Sequence, residues 1–247
     1  MIGQLLRQAE WREIGDLLAP SFFQVVPGKV LWKVGRELYG ASRDERRFEA
    51  ARAVRRASLA AADLPIEIAS GDHVAVDTLS EAERIERGEL VLALYFHEIL
   101  GGDPWIFDFR YAAFDRSSKT GLAWHPKAWH ADLEPGFRAH LAGVYRGFYG
   151  DDDALFRRSI EALGLRVAEQ EFRAQFGGDD QRSVRFSVRT FQERFTAVFR
   201  RCREHGVSLA PEFLYLGMGL ALLHEHLDAL AVPLDVRGAF ERAASAP

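Results

Sequence analysis

A chain of 247 residues, 48% hydrophobic and 28% charged, has the balance of a folded soluble protein and the length to bury a substantial core. Its net charge of −4 argues against a nucleic-acid partner, and its basic residues are almost all arginine, with only Lys29, Lys33, Lys119 and Lys127 to anchor a phosphate. The single cysteine, Cys202, excludes a disulfide framework and a cysteine-rich zinc site, no apolar run reaches the roughly twenty residues that span a bilayer, and Arg7, Glu10, Arg12 and Glu13 break any leader-like pattern, so a cytoplasmic location is expected.

Helical periodicity dominates the chain. Leu5, Leu6, Ala9, Ile14, Leu17 and Leu18 fall on one stripe of an amphipathic helix that Pro20 closes. Val30, Leu31, Val34 and Leu38 form a second stripe, opened by Pro27-Gly28 and ended at Gly40. Asp44 caps a third helix through Ala62, with Phe48, Ala51, Val54 and Leu59 at its apolar positions. Ile66–Ala69 and His73–Val76 flank Ser70-Gly71-Asp72 and predict a β-hairpin. Glu81–Leu100 returns to helix. Gly101–Glu134 then breaks into short strands and loops rich in aromatic residues, with a turn at Ser117–Gly121. Helices resume over Pro135–Tyr149, Asp151–Leu163, Arg182–His205 and Pro211–Leu230. The expected fold is mainly α, a helical bundle with small hairpin or short-strand elements near residues 66–76 and 105–125.

In this order the elements resemble the AarF/UbiB family of atypical kinases, the lipid- and quinone-associated kinase-like proteins. Four segments carry the resemblance: Asp44-Glu45-Arg46-Arg47-Phe48-Glu49 with the helix it opens, Pro65–Asp77, Pro135–Leu165, and Arg203–Leu227. The resemblance implies a kinase-like helical C-lobe over residues 44–247, preceded by a helical segment at 1–43. The departures concern the chemistry. Where the family reads His-Ala-Asp-Pro-His-Pro-Gly-Asn, this chain reads Gly101-Gly102-Asp103-Pro104-Trp105-Ile106-Phe107-Asp108. Asp103-Pro104 falls at the family's Asp-Pro, Asp108 stands in for its Asn, and His125 replaces the metal-holding Asp of Asp-Phe-Gly. Only about forty residues precede Asp44, and Lys33-Val34-Gly35-Arg36 echoes the family's Lys-x-Gly-Gln. Lys33 with Glu49 is the one N-terminal pair resembling a kinase's Lys–Glu pair.

ATP and Mg²⁺ are the cofactors the family implies, held if at all by Asp103 and Asp108. Phosphoryl transfer depends on positioning and on charge neutralisation by metal-bound acids, so losing those acids removes the main source of acceleration. The expectation is therefore a non-catalytic, pseudokinase-like binding or regulatory protein. Its ligand would be an apolar lipid- or quinone-like molecule or a partner protein.

Two other classes compete. A small helical enzyme would use a His/carboxylate metal site at His125, His130 and Asp132, or a pocket among the aromatic residues from Trp105 to Trp129, which otherwise pack as core. A structural partner-binding domain would instead show a large exposed apolar patch. Minor signals have plainer readings. His224 and His226 lie about 200° apart around a helix, so one faces a pocket and the other solvent, near a C-terminal dipole that favours a cation. Asp151-Asp152-Asp153 reads as a helix cap with first-turn acids. Phe22-Phe23 lacks the basic flanks of a membrane-surface segment. Cys202 sits between Arg201 and Arg203, which favour a thiolate.

Overall fold

Nine α-helices and five short strands make up the described residues, 26–69, 78–102, 104–117, 119–174 and 182–245, of a computed structural model. In chain order they are α1 (Gly28–Ala41), α2 (Glu45–Ala61), β1 (Ile66–Ile68), α3 (Glu81–Leu100), β2 (Trp105–Ile106), β3 (Phe114–Ser117), β4 (Gly121–Trp124), β5 (His130–Ala131), α4 (Pro135–Tyr149), α5 (Asp153–Ala162), α6 (Glu169–Arg173), α7 (Val188–Glu204), α8 (Glu212–Leu230) and α9 (Val236–Ala244). The fold is mainly α with small strand elements, as the periodicity predicts. No helix among the described residues is long and apolar enough to cross a membrane.

Local chemistry starts these helices where it should. The Asp44 carboxylate accepts from Arg47 N at 3.0 Å to open α2, and Asp152 accepts from Leu155 N at 2.9 Å to open α5. Ser80 and Glu83 form a reciprocal capping box at the head of α3. From Leu90 to Ile99, α3 is buried on every side, which makes it the central helix rather than a surface one. α9 packs along it, and α4 packs against α5. Gly147 permits that last approach, since a Cβ there would stand 2.5 Å from Phe156 N. Val34 and Leu38 of α1 belong to the same buried cluster as α3 and α8.

Two small sheets flank the helices. β4 is central in the first, paired antiparallel with β3 and parallel with β1 in the register Ile66↔Leu122, Ile68↔Trp124. β2 and β5 form the second, with Ile106 opposite His130. Of the predicted hairpin, Ile66–Ile68 is a strand as expected, and among the described residues it pairs with β4, parallel to it. A parallel pair needs a crossover, and α3 lies within it. The other half of that hairpin, His73–Val76, lies outside the described residues, as do the helix expected at 5–18 and Phe22-Phe23.

The helix expected from Arg182 begins at Val188 instead. Val184 exchanges both backbone hydrogen bonds with Leu234, at 2.9 and 3.0 Å, so this stretch is extended, and the Ser187 hydroxyl then caps α7. Beyond Leu230, where the predicted helices end, the structure adds α9, which Asp235 caps by accepting from Gly238 N at 2.8 Å.

Candidate functional site

Of the two acids assigned to phosphate or metal chemistry, Asp108 is otherwise engaged. Asp108 is fully buried, and its carboxylate receives Arg110 Nε at 2.7 Å, Arg110 Nη2 at 2.6 Å and Lys127 N at 2.8 Å. Arg110 in turn lies over the Trp129 ring at 4.4 Å, and Asp108 O accepts from Trp124 Nε1 at 2.8 Å. Asp108 is thus a tether between the β2 segment and the loop after β4. Asp103 lies outside the described residues. Its neighbours are gripped by two buried arginines: Arg55 donates to Gly102 O and Pro104 O, and Arg138 to Gly101 O and Gly102 O.

The Lys33–Glu49 pair does not form. Lys33 reaches Glu37 at 4.0 Å along its own helix, and Glu49 takes Arg52 at 2.6 Å. Both geometries follow from helical spacing, which favours partners three or four residues away.

The proposed metal trio is corrected too. Asp132 is paired with Arg47, and the buried His130 ring stacks on Phe48 with centroids 5.7 Å apart. His125 donates its backbone N–H to Ala113 O at 2.8 Å, extending the sheet. Among the described residues no three His, Cys, Asp or Glu side chains converge as a metal site. The aromatic group from Trp105 to Trp124 is core: Trp105, Phe107, Phe109, Phe114 and Trp124 are all fully buried. Cys202 is 1% exposed, and burial, reinforced by Glu171, pushes its thiol up to about 11, which overrides the flanking arginines. Trp32 and Val54 are the large apolar side chains exposed among the described residues, and they stand on different helices.

His226 is sealed inside, while His224 is half-buried on the partly open stripe of α8 that continues to the exposed Asp228. The dipole-favoured cation is corrected, because both imidazoles are held down rather than raised. His226 Nε2 accepts from Arg87 Nε at 3.0 Å, which leaves Nδ1–H to donate to Phe109 O at 3.1 Å. Burial, with Arg87 adding to it, holds this imidazole well below its ordinary range. His224 is wedged between Phe186, 5.1 Å away edge-on, and Phe191, 4.6 Å away and stacked. Burial pushes it down to about 3, against the pull of the Ser187 backbone. Its Nδ1 is buried without a hydrogen-bond partner.

The His224 side chain belongs to the lining of a cavity of about 100 Å³ between α3, α4, α7 and α8. Tyr95, Phe96 and Tyr149 line it from α3 and α4, Phe191 and Phe195 from α7, and Leu223 with His224 from α8. The Tyr95 and Tyr145 hydroxyls hydrogen-bond each other behind it, and burial raises both phenols. The exposed Arg185 and half-buried Arg194 mark its solvent side. A larger recess of about 470 Å³ lies between residues 26–30 and 199–214, with Lys29 and Arg203 as its charged lining residues. It has no buried polar group left to satisfy, so the smaller cavity is the better candidate.

Sequence reasoning missed this cavity's rim and found only His224 of its polar lining. The spacing of Phe191 and Phe195 puts two rings on one face of α7, yet nothing local says that this face meets α3 and α4. Comparison with known proteins finds no family model and no curated protein that matches this chain.

Proposed function

We propose that this chain is a non-catalytic binding protein, built on a scaffold resembling the AarF/UbiB kinase-like proteins, and that its ligand is an apolar small molecule seated between α3, α4, α7 and α8. The observation that carries this reading is the aromatic-walled cavity, with Tyr95, Phe96, Tyr149, Phe191 and Phe195 around it and His224 among its few polar lining residues. A concave apolar site with few polar groups suits a small ligand. The engagement of Asp108 by Arg110 and the separation of Lys33 from Glu49 argue for binding over phosphotransfer. A cytoplasmic location is part of the proposal, supported by a single, buried cysteine.

Thermal-shift titration of the full chain tests it, with phenol as the apolar probe and MgATP as the rival. A ligand at a hundredfold over its dissociation constant stabilises the native state by about 2.7 kcal/mol, a readable shift. Phenol is expected to raise Tm in the native chain and not in Thr190→Trp, which fills the cavity from α7. MgATP is expected to leave Tm unchanged. A Mg²⁺-dependent ATP shift lost in Asp103→Ala would overturn the non-catalytic reading.

A further inference from the structure

We infer that the recess of about 470 Å³ at the start of α1 is a second binding site, for an alkyl-chain carboxylic acid whose chain lies in the recess and whose carboxylate meets Lys29 and Arg203. It is separate from the aromatic cavity and does not rest on the reading above.

The apolar wall sets the body of the ligand. Val26 and Val30 line the recess from one side, Phe199 and Cys202 from α7, and Leu209 and Leu214 from the α7–α8 connection and α8. Val26, Phe199, Cys202 and Leu214 are buried members of the core cluster, so the recess opens into the core and is no shallow dimple. Small-molecule sites of roughly 300–1,000 Å³ with mostly apolar linings are the common kind. An apolar cavity of about 150 Å³ holds the six carbons of benzene, so a chain of about ten carbons needs roughly 250 Å³. The recess has that room.

Charge at its edge selects the end group. Among the described residues no Asp or Glu lines the recess, and its two charged lining residues, Lys29 and Arg203, are both exposed cations. Lys33 and Lys119 each stand by a carboxylate, at 4.0 and 3.9 Å, whereas Lys29 meets none among the described residues. The first turn of α1, which carries Lys29, has no side-chain cap and no acidic residue, so the positive end of its dipole adds to the same sign. An alkyl chain that ends in an anion answers both features. A carboxylate suits the guanidinium fork and the ammonium point charge alike. A neutral amphiphile leaves the cations unanswered, and an inorganic anion leaves the apolar wall unfilled.

Calorimetric titration of the full chain with hexanoate, octanoate, decanoate and 1-octanol tests the assignment. Each two-carbon step is expected to tighten binding by about fifteenfold, the ratio that about 0.8 kcal/mol per buried CH₂ gives. Octanoate should bind about tenfold or more tightly than 1-octanol in the native chain, and equally in Lys29→Gln with Arg203→Gln. Ala210→Trp and Val30→Trp fill the recess from its two sides, and each should abolish binding. Thr190→Trp, which fills the aromatic cavity, should leave octanoate unaffected, so the two sites are decided separately. Near-UV circular dichroism checks that each variant keeps the native packing. Equal binding of octanoate and 1-octanol by the native chain, or indifference to the paired charge change, would overturn the carboxylate assignment. Binding lost in Thr190→Trp and kept in Ala210→Trp would move the acid to the aromatic cavity and overturn the site. So would the absence of any binding, and a concentration-dependent dimer broken by Ala210→Trp would then assign the recess to a second copy of the chain.

Discussion

Arg55 of α2 and Glu98 of α3 meet as an ion pair with both side chains sealed from solvent, at 2% and 0% exposure. The second Glu98 oxygen accepts from Ile106 N at 2.9 Å, and Arg55 also holds the carbonyls of Gly102 and Pro104. The pair thus fastens α2, α3 and the connection to β2 at one point. Removing one partner of a buried pair costs about 3–5 kcal/mol, because the other charge stays buried alone. Glu98→Gln and Arg55→Met are each expected to lower urea-unfolding stability by about that much. The double variant should lose less than the sum of the two. Strict additivity would mean that the two side chains are not coupled.

Acid should destabilise the fold from near neutrality, through its buried histidines. Burial pushes His97 down to about 4 and His224 to about 3, and His226 lies well below its ordinary 6.5. Groups with depressed values keep the unfolded chain ahead in proton uptake once pH falls below 6.5, so stability drops from there toward the folded-state values. A fully buried imidazole contributes up to about 1.4 kcal/mol per pH unit over that window. Glu98 opposes them: burial raises it from 4.5 to about 7, so its contribution is complete below 4.5 and is lost as pH rises through 7. With His130, which burial also holds down, four histidines stand against one carboxyl and leave a net loss on acidification. The urea midpoint at pH 5 is expected to lie well below that at pH 7.5, and His224→Phe should flatten the difference. A midpoint that rises toward pH 5 would contradict the burial of these rings.

One substitution at two glycines should act with opposite signs. At Gly147 a new Cβ would meet Phe156 N at 2.5 Å and its Cα at 2.7 Å, backbone atoms that cannot step aside without parting α4 from α5. Overpacking of this kind costs about 1–3 kcal/mol. Gly40, inside α1, has nothing within 4 Å, and helical propensity alone favours alanine there by about 0.5–1 kcal/mol. Gly147→Ala should lower Tm and Gly40→Ala raise it. A neutral Gly147→Ala would mean that the helices are not in backbone contact.

These contrasts show what a sequence makes legible. Pro135–Tyr149 is legible to the residue, because a proline start, an apolar stripe and a closing Gly150 are local signals. Asp44 and Asp152 were legible as caps for the same reason. The partner of Ile66–Ile68 was not, because β4 lies beyond a helix and loops whose pairing no local pattern encodes. The cavity is hidden for a similar reason: its walls come from six helices, α3, α4, α6, α7, α8 and α9, and from the extended stretch near Val184 that Leu234 pins. His226 is sealed and His224 half-buried, so a helical wheel separates the two, but it does not tell how narrow the open side is. Leucines on nearly every face of α8 are the available sign of that.

Asp108 was singled out for catalysis by its distance from Asp103-Pro104, and its partner stood two residues away in Arg110. The bidentate pair, the Lys127 N–H and the stack of Arg110 on Trp129 make its carboxylate a structural anchor. Asp108→Ala strips a buried guanidinium of its counter-charge and is expected to cost about 3–5 kcal/mol. Asp108→Asn keeps one acceptor for Arg110 or Lys127 N and loses the charge, so about 1.5–3 kcal/mol is expected. Urea unfolding measures both. A catalytic acid behaves differently, since its removal commonly leaves stability intact while activity disappears. If Asp108→Ala unfolds with the native midpoint, the anchor role fails, and the acid returns as a candidate for chemistry at the Asp103 loop.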